Sequence, residues 1–248
     1  MKTQIAPDAG AAGAAAGRAA VEVLRRVIGE RGHARVIFAS APSQEGMLAT
    51  LRASDLDFSA ITALHMDEYL GISPDHPAGF GRWLADRLDP AVALHRLDSL
   101  AEPDAEVARY TGLIADGPVD LALVGIGVNG HIAFNEPHDP ARPDELVREV
   151  DLTLASREQQ VDDGCFATLA EVPRSALSLT PAALMAAHQV ICTVLGRRKA
   201  AAVKDALTGP VGPACPASIL QTHDNVLTVL DTEAAAQLGT TQLEGSRR

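Results

Sequence analysis

The feature that most constrains this chain is an alternation. Short apolar, β-branched runs occur at 35–40 (RVIFAS), 60–65 (AITALH), 119–127 (VDLALVGIG), 189–196 (QVICTVLG) and 225–231 (NVLTVLD). Segments with helical apolar spacing lie between them, at 11–31, 43–53, 79–88, 103–116, 181–188 and 197–207. The runs are almost continuously apolar, as strands covered on both faces must be. Strands that alternate with helices build a parallel α/β sheet. In the first helical segment Val21, Leu24 and Ile28 share one face. In LTPAALMAAH, Thr180 is placed to cap a helix and Pro181 to occupy its first position. Ligands of such sheets gather beyond the carboxyl ends of the strands. The segments nominated for function are therefore Ser40–Gln44, Asp67–Tyr69, Gly125–Glu136 and Gly196–Lys199.

The 248 residues are 47% apolar, enough for one substantial core. No linker, repeat or shift in composition divides them, so a single domain over 1–248 is expected. The net charge of −11 offers no basic field for nucleic acid. An anion site would have to be built locally from a few basic groups and backbone N–H donors. Cys165, Cys192 and Cys215 are widely spaced and form no C-x-x-C, which suits a reducing cytoplasm. The Ala-rich N-terminus is interrupted by Asp8 and Arg18 and lacks a Leu/Val-rich core. It reads as an irregular start followed by an amphipathic helix rather than a leader. No apolar run approaches the roughly 18 residues needed to span a membrane.

Gly125–Pro137, GIGVNGHIAFNEP, contains G-x-G-x-x-G at Gly125, Gly127 and Gly130. A dinucleotide site needs a helix to open directly after those glycines. Pro137, Pro140 and Pro143 break the region where it should run, and no helix separates the loop from Asp151, the acid at a plausible distance. The competing reading uses Asn129, His131 and Glu136 together. A histidine can move a proton near neutral pH, a carboxylate can hold its other ring nitrogen, and glycines let the backbone approach a small ligand. The bland alternative is a His131 that caps a turn and a Glu136 in solvent.

HMDEYLG (65–71) puts Asp67 and Glu68 at a strand's carboxyl end. A partly desolvated carboxylate there suits a general base, and its neighbour suits a salt bridge or cap. His65, Asp67 and His131 would have to converge to hold a metal, and no ligand spacing supports it. In LGRRKAAAVKDAL, Lys199 falls in the first turn of a helix, with Arg197 and Arg198 beside it. The macrodipole disfavours cations there, so either an anion such as phosphate occupies the terminus or three solvated charges stand side by side.

HMDEYLG, GIGVNGHIAFNEP and VLGRRKA, in this order, resemble the glucosamine-6-phosphate deaminase/isomerase family, relatives of the 6-phosphogluconolactonases. The resemblance runs from about residue 35 to 231. It implies a single-domain open Rossmann-like, mostly parallel sheet with helices on both faces. It further implies conversion of glucosamine 6-phosphate to fructose 6-phosphate and ammonia with neither metal nor organic cofactor. By motif, Asp67 matches the base that moves a proton between C2 and C1. His131 matches the residue that opens the sugar ring, Glu136 the acid that supports it, and Asn129 a position the family fills with Asp or Asn. Lys199 matches a phosphate-binding lysine. Gly127 and Gly130 would admit the sugar.

Two departures stand out. SAPSQEG replaces the family's Gly-Gly-Thr phosphate loop, leaving Ser40, Ser43 and Gln44 as donors. Cys165, before Phe166, stands where the family's lid carries an arginine, with Arg157 or Arg198 as replacements. The expected ligand is a small amino sugar phosphate, with no nucleic acid or membrane partner. The family occurs as monomers and hexamers, which leaves a homo-oligomer open. Galactosamine 6-phosphate, a phosphogluconolactone, or a silent sugar-sensing role are the alternatives.

Overall fold

The computed structural model describes residues 1–239, so residues 240–248 of the expected 1–248 domain lie outside the described ones. The strands are β1 (Lys2–Ala6), β2 (Ala34–Phe38), β3 (Ile61–His65), β4 (Asp67–Tyr69), β5 (Ala93–His95), β6 (Leu121–Val124), β7 (Val147–Asp151), β8 (Ser175–Leu179), β9 (Gln189–Val194) and β10 (Val226–Asp231). The helices are α1 (Ala9–Arg31), α2 (Glu45–Arg52), α3 (Phe80–Arg87), α4 (Pro103–Ala115), α5 (Leu154–Asp162), α6 (Pro181–Met185) and α7 (Ala200–Thr208).

Seven strands form one sheet in the order β1-β10-β9-β6-β2-β3-β5, and each neighbouring pair is parallel. Successive residues of the central strands enter opposite cores. Val36 and Phe38 pack on the side that holds α1 and α2, while Ile37 packs on the other. Leu121 and Leu123 likewise oppose Ala122 and Val124, and Ile191 opposes Val190 and Cys192. This two-sided burial is why the runs are apolar at every position rather than at every second one.

The Ala-rich N-terminal segment is α1. Asp8 caps it by accepting the Ala11 N–H at 2.8 Å, and Gly32, at φ 76°, closes it. Its small residues let α2 approach closely: a Cβ on Gly17 would stand 2.4 Å from the Thr50 Cβ.

The apolar runs at 35–40, 60–65, 119–127, 189–196 and 225–231 became β2, β3, β6, β9 and β10. Several elements were not foreseen. The chain starts with β1, which pairs with β10, rather than irregularly. A second, antiparallel sheet has the order β4-β8-β7. Its strands are short and polar at several positions, so periodicity does not mark them. α6 stops at Met185 rather than 188. Residues 197–199 form a separate 3-10 turn, so Lys199 precedes α7 instead of lying inside its first turn.

Candidate active site

The parallel order β9-β6-β2-β3 brings the carboxyl ends of four neighbouring strands to one edge. The segments after them are the four nominated by the sequence: Gly196–Lys199, Gly125–Glu136, Ser40–Gln44 and Asp67–Tyr69.

After β6 the glycine loop folds back on itself. The Gly127 N–H donates to the His131 carbonyl at 2.9 Å, and the Gly130 N–H donates to the Gly127 carbonyl at 3.1 Å. Gly127 lies under the His131 ring: a Cβ there would be 2.2 Å from Nε2. Gly130 combines φ 86° with the Cys215 thiol 2.8 Å from where its Cβ would be. No helix follows Gly130, so no helix N-terminus is present for a pyrophosphate. The glycines serve a close-packed turn around an imidazole.

His131 and Glu136 are both buried. Asn129 Nδ2 donates to Glu136 Oε2 at 2.8 Å, and the His131 N–H donates to Asn129 Oδ1 at 3.2 Å. His131 Nδ1 stands 3.7 Å from Glu136 Oε2, longer than a full hydrogen bond, while the Ser156 hydroxyl is 2.9 Å from Nδ1. Burial acts to raise the Glu136 pKa. Its interactions with His131, Ser156 and Asn129 outweigh that and hold it down at about 2. Glu136 is thus a buried, ionised partner of the histidine rather than a solvated loop acid.

Asp67 is 7% exposed. Among the described residues none donates a hydrogen bond to its carboxylate. Burial, then repulsion from Glu68, push its pKa up to about 8. Desolvation without a compensating donor is what makes a carboxylate a strong base. Glu68, on the opposite face of β4, plays the bland part. It accepts N–H bonds from Tyr69 at 3.0 Å, Phe80 at 3.1 Å and Gly81 at 2.8 Å, so it caps the start of α3. Tyr69 packs on Phe80, Phe134 and Phe166 with ring centroids 4.6–5.8 Å apart, which keeps the surroundings of β4 apolar.

The strand of Asp67 and the loop of His131 are fastened to the same element. β4 pairs with β8, with Asp67 opposite Ser178. The Ser178 hydroxyl accepts the Phe134 N–H at 2.9 Å, and Asn135 Nδ2 donates to the Leu179 carbonyl at 2.8 Å.

His65 does not face this site as a ligand. It is fully buried and accepts the Leu97 N–H at Nδ1, 3.4 Å away. Burial, with help from the charge of Arg96, lowers its pKa to about 3. Among the described residues no three His, Cys, Asp or Glu side chains gather to hold a metal.

The anion end is built differently. The Ser40 hydroxyl donates to the Phe80 carbonyl at 3.1 Å. Gln44 is fully buried, and its Nε2 donates to the Val124 and Thr193 carbonyls at 3.3 and 3.4 Å. Ser43 accepts from Gln44 Nε2 at 3.2 Å and keeps its own proton for another partner. Lys199 Nζ donates to Gln159 Oε1 at 3.0 Å, an atom that also accepts the Val128 N–H at 3.0 Å. Burial lowers the Lys199 pKa to about 8, against the pull of Asp163. Arg157 Nη2 donates to the Leu169 and Val172 carbonyls, and Arg198 pairs with Asp162 at 2.5 Å. Arg157 Nε is nevertheless buried without a partner among the described residues, and Arg198 is more than half exposed, so both keep N–H groups beyond these bonds.

Ser156 and Gln159, both on α5, escaped sequence reasoning. The usable signal was Thr153, which caps α5 by accepting the Ser156 N–H at 3.2 Å.

The family of glucosamine-6-phosphate isomerases/6-phosphogluconolactonase matches residues 7–229. The chain belongs to this family. A glucosamine-6-phosphate deaminase of Streptococcus uberis is 38% identical over 189 residues, 75% of this chain and 79% of that protein. One from Lactobacillus delbrueckii subsp. bulgaricus is 36% identical over 226 residues, 90% of this chain and 94% of that protein. The solved structure of a monomeric glucosamine-6-phosphate deaminase is similar with a TM-score of 0.87 and 28% identity, covering 95% of this chain and 99% of that one. A 6-phosphogluconolactonase from Trypanosoma brucei shares the fold, with a TM-score of 0.78 at 18% identity, over 96% and 98% of the two chains. Within this family, the loop GIGVNGHIAFNEP supplies a closed Asn129–His131–Glu136 set, and the segment SAPSQEG turns most of its donors inward.

Proposed function

We propose that the chain is an amino-sugar-phosphate isomerase/deaminase that converts glucosamine 6-phosphate and water to fructose 6-phosphate and ammonia. The observation that carries this reading is Asp67, a buried carboxylate without a hydrogen-bond donor among the described residues, on a strand tied through β8 to the loop of His131. Moving a proton off a carbon needs a base of this kind, because an ordinary solvated carboxylate is too weak.

In this reading His131 takes the proton of the anomeric hydroxyl and returns it to the ring oxygen, opening the pyranose. Glu136 and Asn129 keep the imidazole oriented. Asp67 in its ionised form, whose fraction grows as the pH rises toward about 8, then removes the C2 proton to give an enolamine and delivers it to C1. The resulting C2 imine is hydrolysed, and ammonia leaves. Lys199 holds the phosphate, with the Ser43 hydroxyl as a second donor. Ser40 and Gln44 shape the loop, while Gly127 makes room for the imidazole of His131 and Gly130 for Cys215 rather than for the sugar. The region 1–248 acts as one catalytic domain. Three free cysteines fit a cytoplasmic setting, and among the described residues no helix is long and apolar enough to cross a membrane.

The test is ammonia release from glucosamine 6-phosphate and galactosamine 6-phosphate, with chelator present throughout and free glucosamine as a control. Release from a hexosamine 6-phosphate with deuterium from solvent at C1 is expected. Hydrolysis of a phosphogluconolactone without ammonia release from any hexosamine would replace this reading by a lactonase, which has no use for a carbon base.

A further inference from the structure

We propose that Ser156 is a positioning residue for His131: its hydroxyl stands at the ring's Nδ1, accepts the Nδ1–H and so leaves Nε2 as the proton-accepting atom. This rests on the ring-opening part assigned to His131 above.

The geometry leaves little freedom. Nδ1 is 2.9 Å from the Ser156 hydroxyl and 3.7 Å from the nearer Glu136 oxygen. The serine, not the carboxylate, is therefore the immediate partner of the ring. Ser156 is fully buried, so no solvent competes for its single proton. An ionised Glu136 can only accept hydrogen bonds. The carboxylate lies 3.7 Å from Nδ1, and its negative charge favours a hydrogen on that ring atom. The serine lone pair then faces Nδ1, which carries the hydrogen. Nε2 is left bare above Gly127, the one residue type whose missing side chain admits the ring at that spot.

The backbone fixes the serine in place. Ser156 lies in the first turn of α5, where its own N–H is held by the Thr153 cap. One turn further, Gln159 ties α5 to the Val128 N–H of the glycine loop and to Lys199. The helix is thus pinned to the loop that carries His131 at two points, and the serine oxygen has one place to be. A carboxylate at 3.7 Å, beyond bonding distance, only biases the ring toward Nδ1–H; the hydroxyl at 2.9 Å supplies the hydrogen bond that fixes it.

Long-range ¹H–¹⁵N spectra of protein labelled at histidine nitrogens test this at a pH where the ring is neutral, with the His131 signals assigned by their loss in His131→Gln. The wild-type ring is expected as the Nδ1–H tautomer. In Ser156→Ala that pattern is expected to give way to Nε2–H or a mixture. Turnover of the cyclic hexosamine phosphate should fall about 10- to 100-fold, the usual cost of losing an outer partner of a functional histidine, with little change in KM. Ser156→Thr, which keeps the hydroxyl, should restore both tautomer and turnover. A wild-type Nε2–H tautomer would overturn the proposal without recourse to any variant. So would a Ser156→Ala protein with unchanged tautomer and unchanged kcat. If the wild type releases no ammonia, the reaction assigned above fails, yet the tautomer spectra still decide the part of Ser156.

Discussion

The two ends of the site follow opposite rules. At the proton-transfer end, polar groups are buried and turned toward one another: Asn129 onto Glu136, Ser156 onto His131, and Asp67 left without a donor. At the anion end, most potential donors are turned into the scaffold: Ser40 to Phe80, Gln44 to two strand carbonyls, Arg157 to Leu169 and Val172, and Arg198 to Asp162. The first end is prepared before a ligand arrives. The second depends on Lys199, itself held by Gln159. In the proposed reading the chemistry is therefore distributed over a network, whereas the hold on a phosphate rests on few groups.

The largest expected effect tests the prepared end. Asp67→Asn keeps shape and removes basicity, and should lower turnover about 10²–10⁴-fold. Solvent deuterium entering C1 at the wild-type rate in that variant would show that Asp67 is not the base and that the contrast is misplaced. The same substitution should stabilise the fold. The buried carboxyl holds its proton up to about pH 8, whereas in an unfolded chain it ionises near pH 4. Its contribution is therefore full below about pH 4 and is lost as the pH rises through about 8. The Tm advantage of Asp67→Asn should widen across that window and stay level above it. Thermal melts at pH 4, 6 and 9 measure it, and an advantage independent of pH would refute the buried, proton-holding state.

Lys199→Ala tests the sparse end. A charge-assisted contact contributes roughly 1.5–3 kcal/mol, or about 10- to 150-fold in affinity. Binding of a phosphorylated sugar should weaken by that much, and binding of its unphosphorylated counterpart hardly at all. Because the Lys199 pKa is lowered to about 8, the advantage of the phosphorylated ligand in the wild type should fade above that pH. Equal losses on both ligands would show that the anion end is not one.

Ser43→Ala should have the smallest effect. One neutral hydrogen bond amounts to about 0.5–1.5 kcal/mol, seen as a KM change of a few-fold at most. A loss as large as that of Lys199→Ala would mean that the loop after β2 still grips phosphate as a whole, and the contrast between the ends would shrink.

The strands β2, β3, β6, β9 and β10 could be read in advance because their apolarity is a local property of strands covered on both faces. The loop Gly125–Pro137 was equally legible: its glycines and prolines restrict the backbone wherever the chain folds. That Glu68 would form a salt bridge or a cap could be stated from its place beside Asp67, but which of the two it forms could not, because the N–H groups that settle it come partly from Phe80 and Gly81, a dozen residues away. The sheet β4-β8-β7 stayed hidden because its strands are short and meet only through long-range pairing.

By itself, then, the sequence determined the parallel α/β frame, the sheet edge nominated for the site, and the residue types Asp67, Asn129, His131, Glu136 and Lys199 with their order in the loops. Those follow from periodicity, turn chemistry and motif, all encoded within a few residues. Only the tertiary structure decided that Asp67 lacks a donor, that Ser40 and Gln44 face inward, and that α5 brings Ser156 to His131 and Gln159 to Lys199. Burial and hydrogen-bond partnership are properties of what arrives from elsewhere in the chain. A carboxylate or an amide carries no local mark of whether water, a carbonyl or a substrate will be the group beside it.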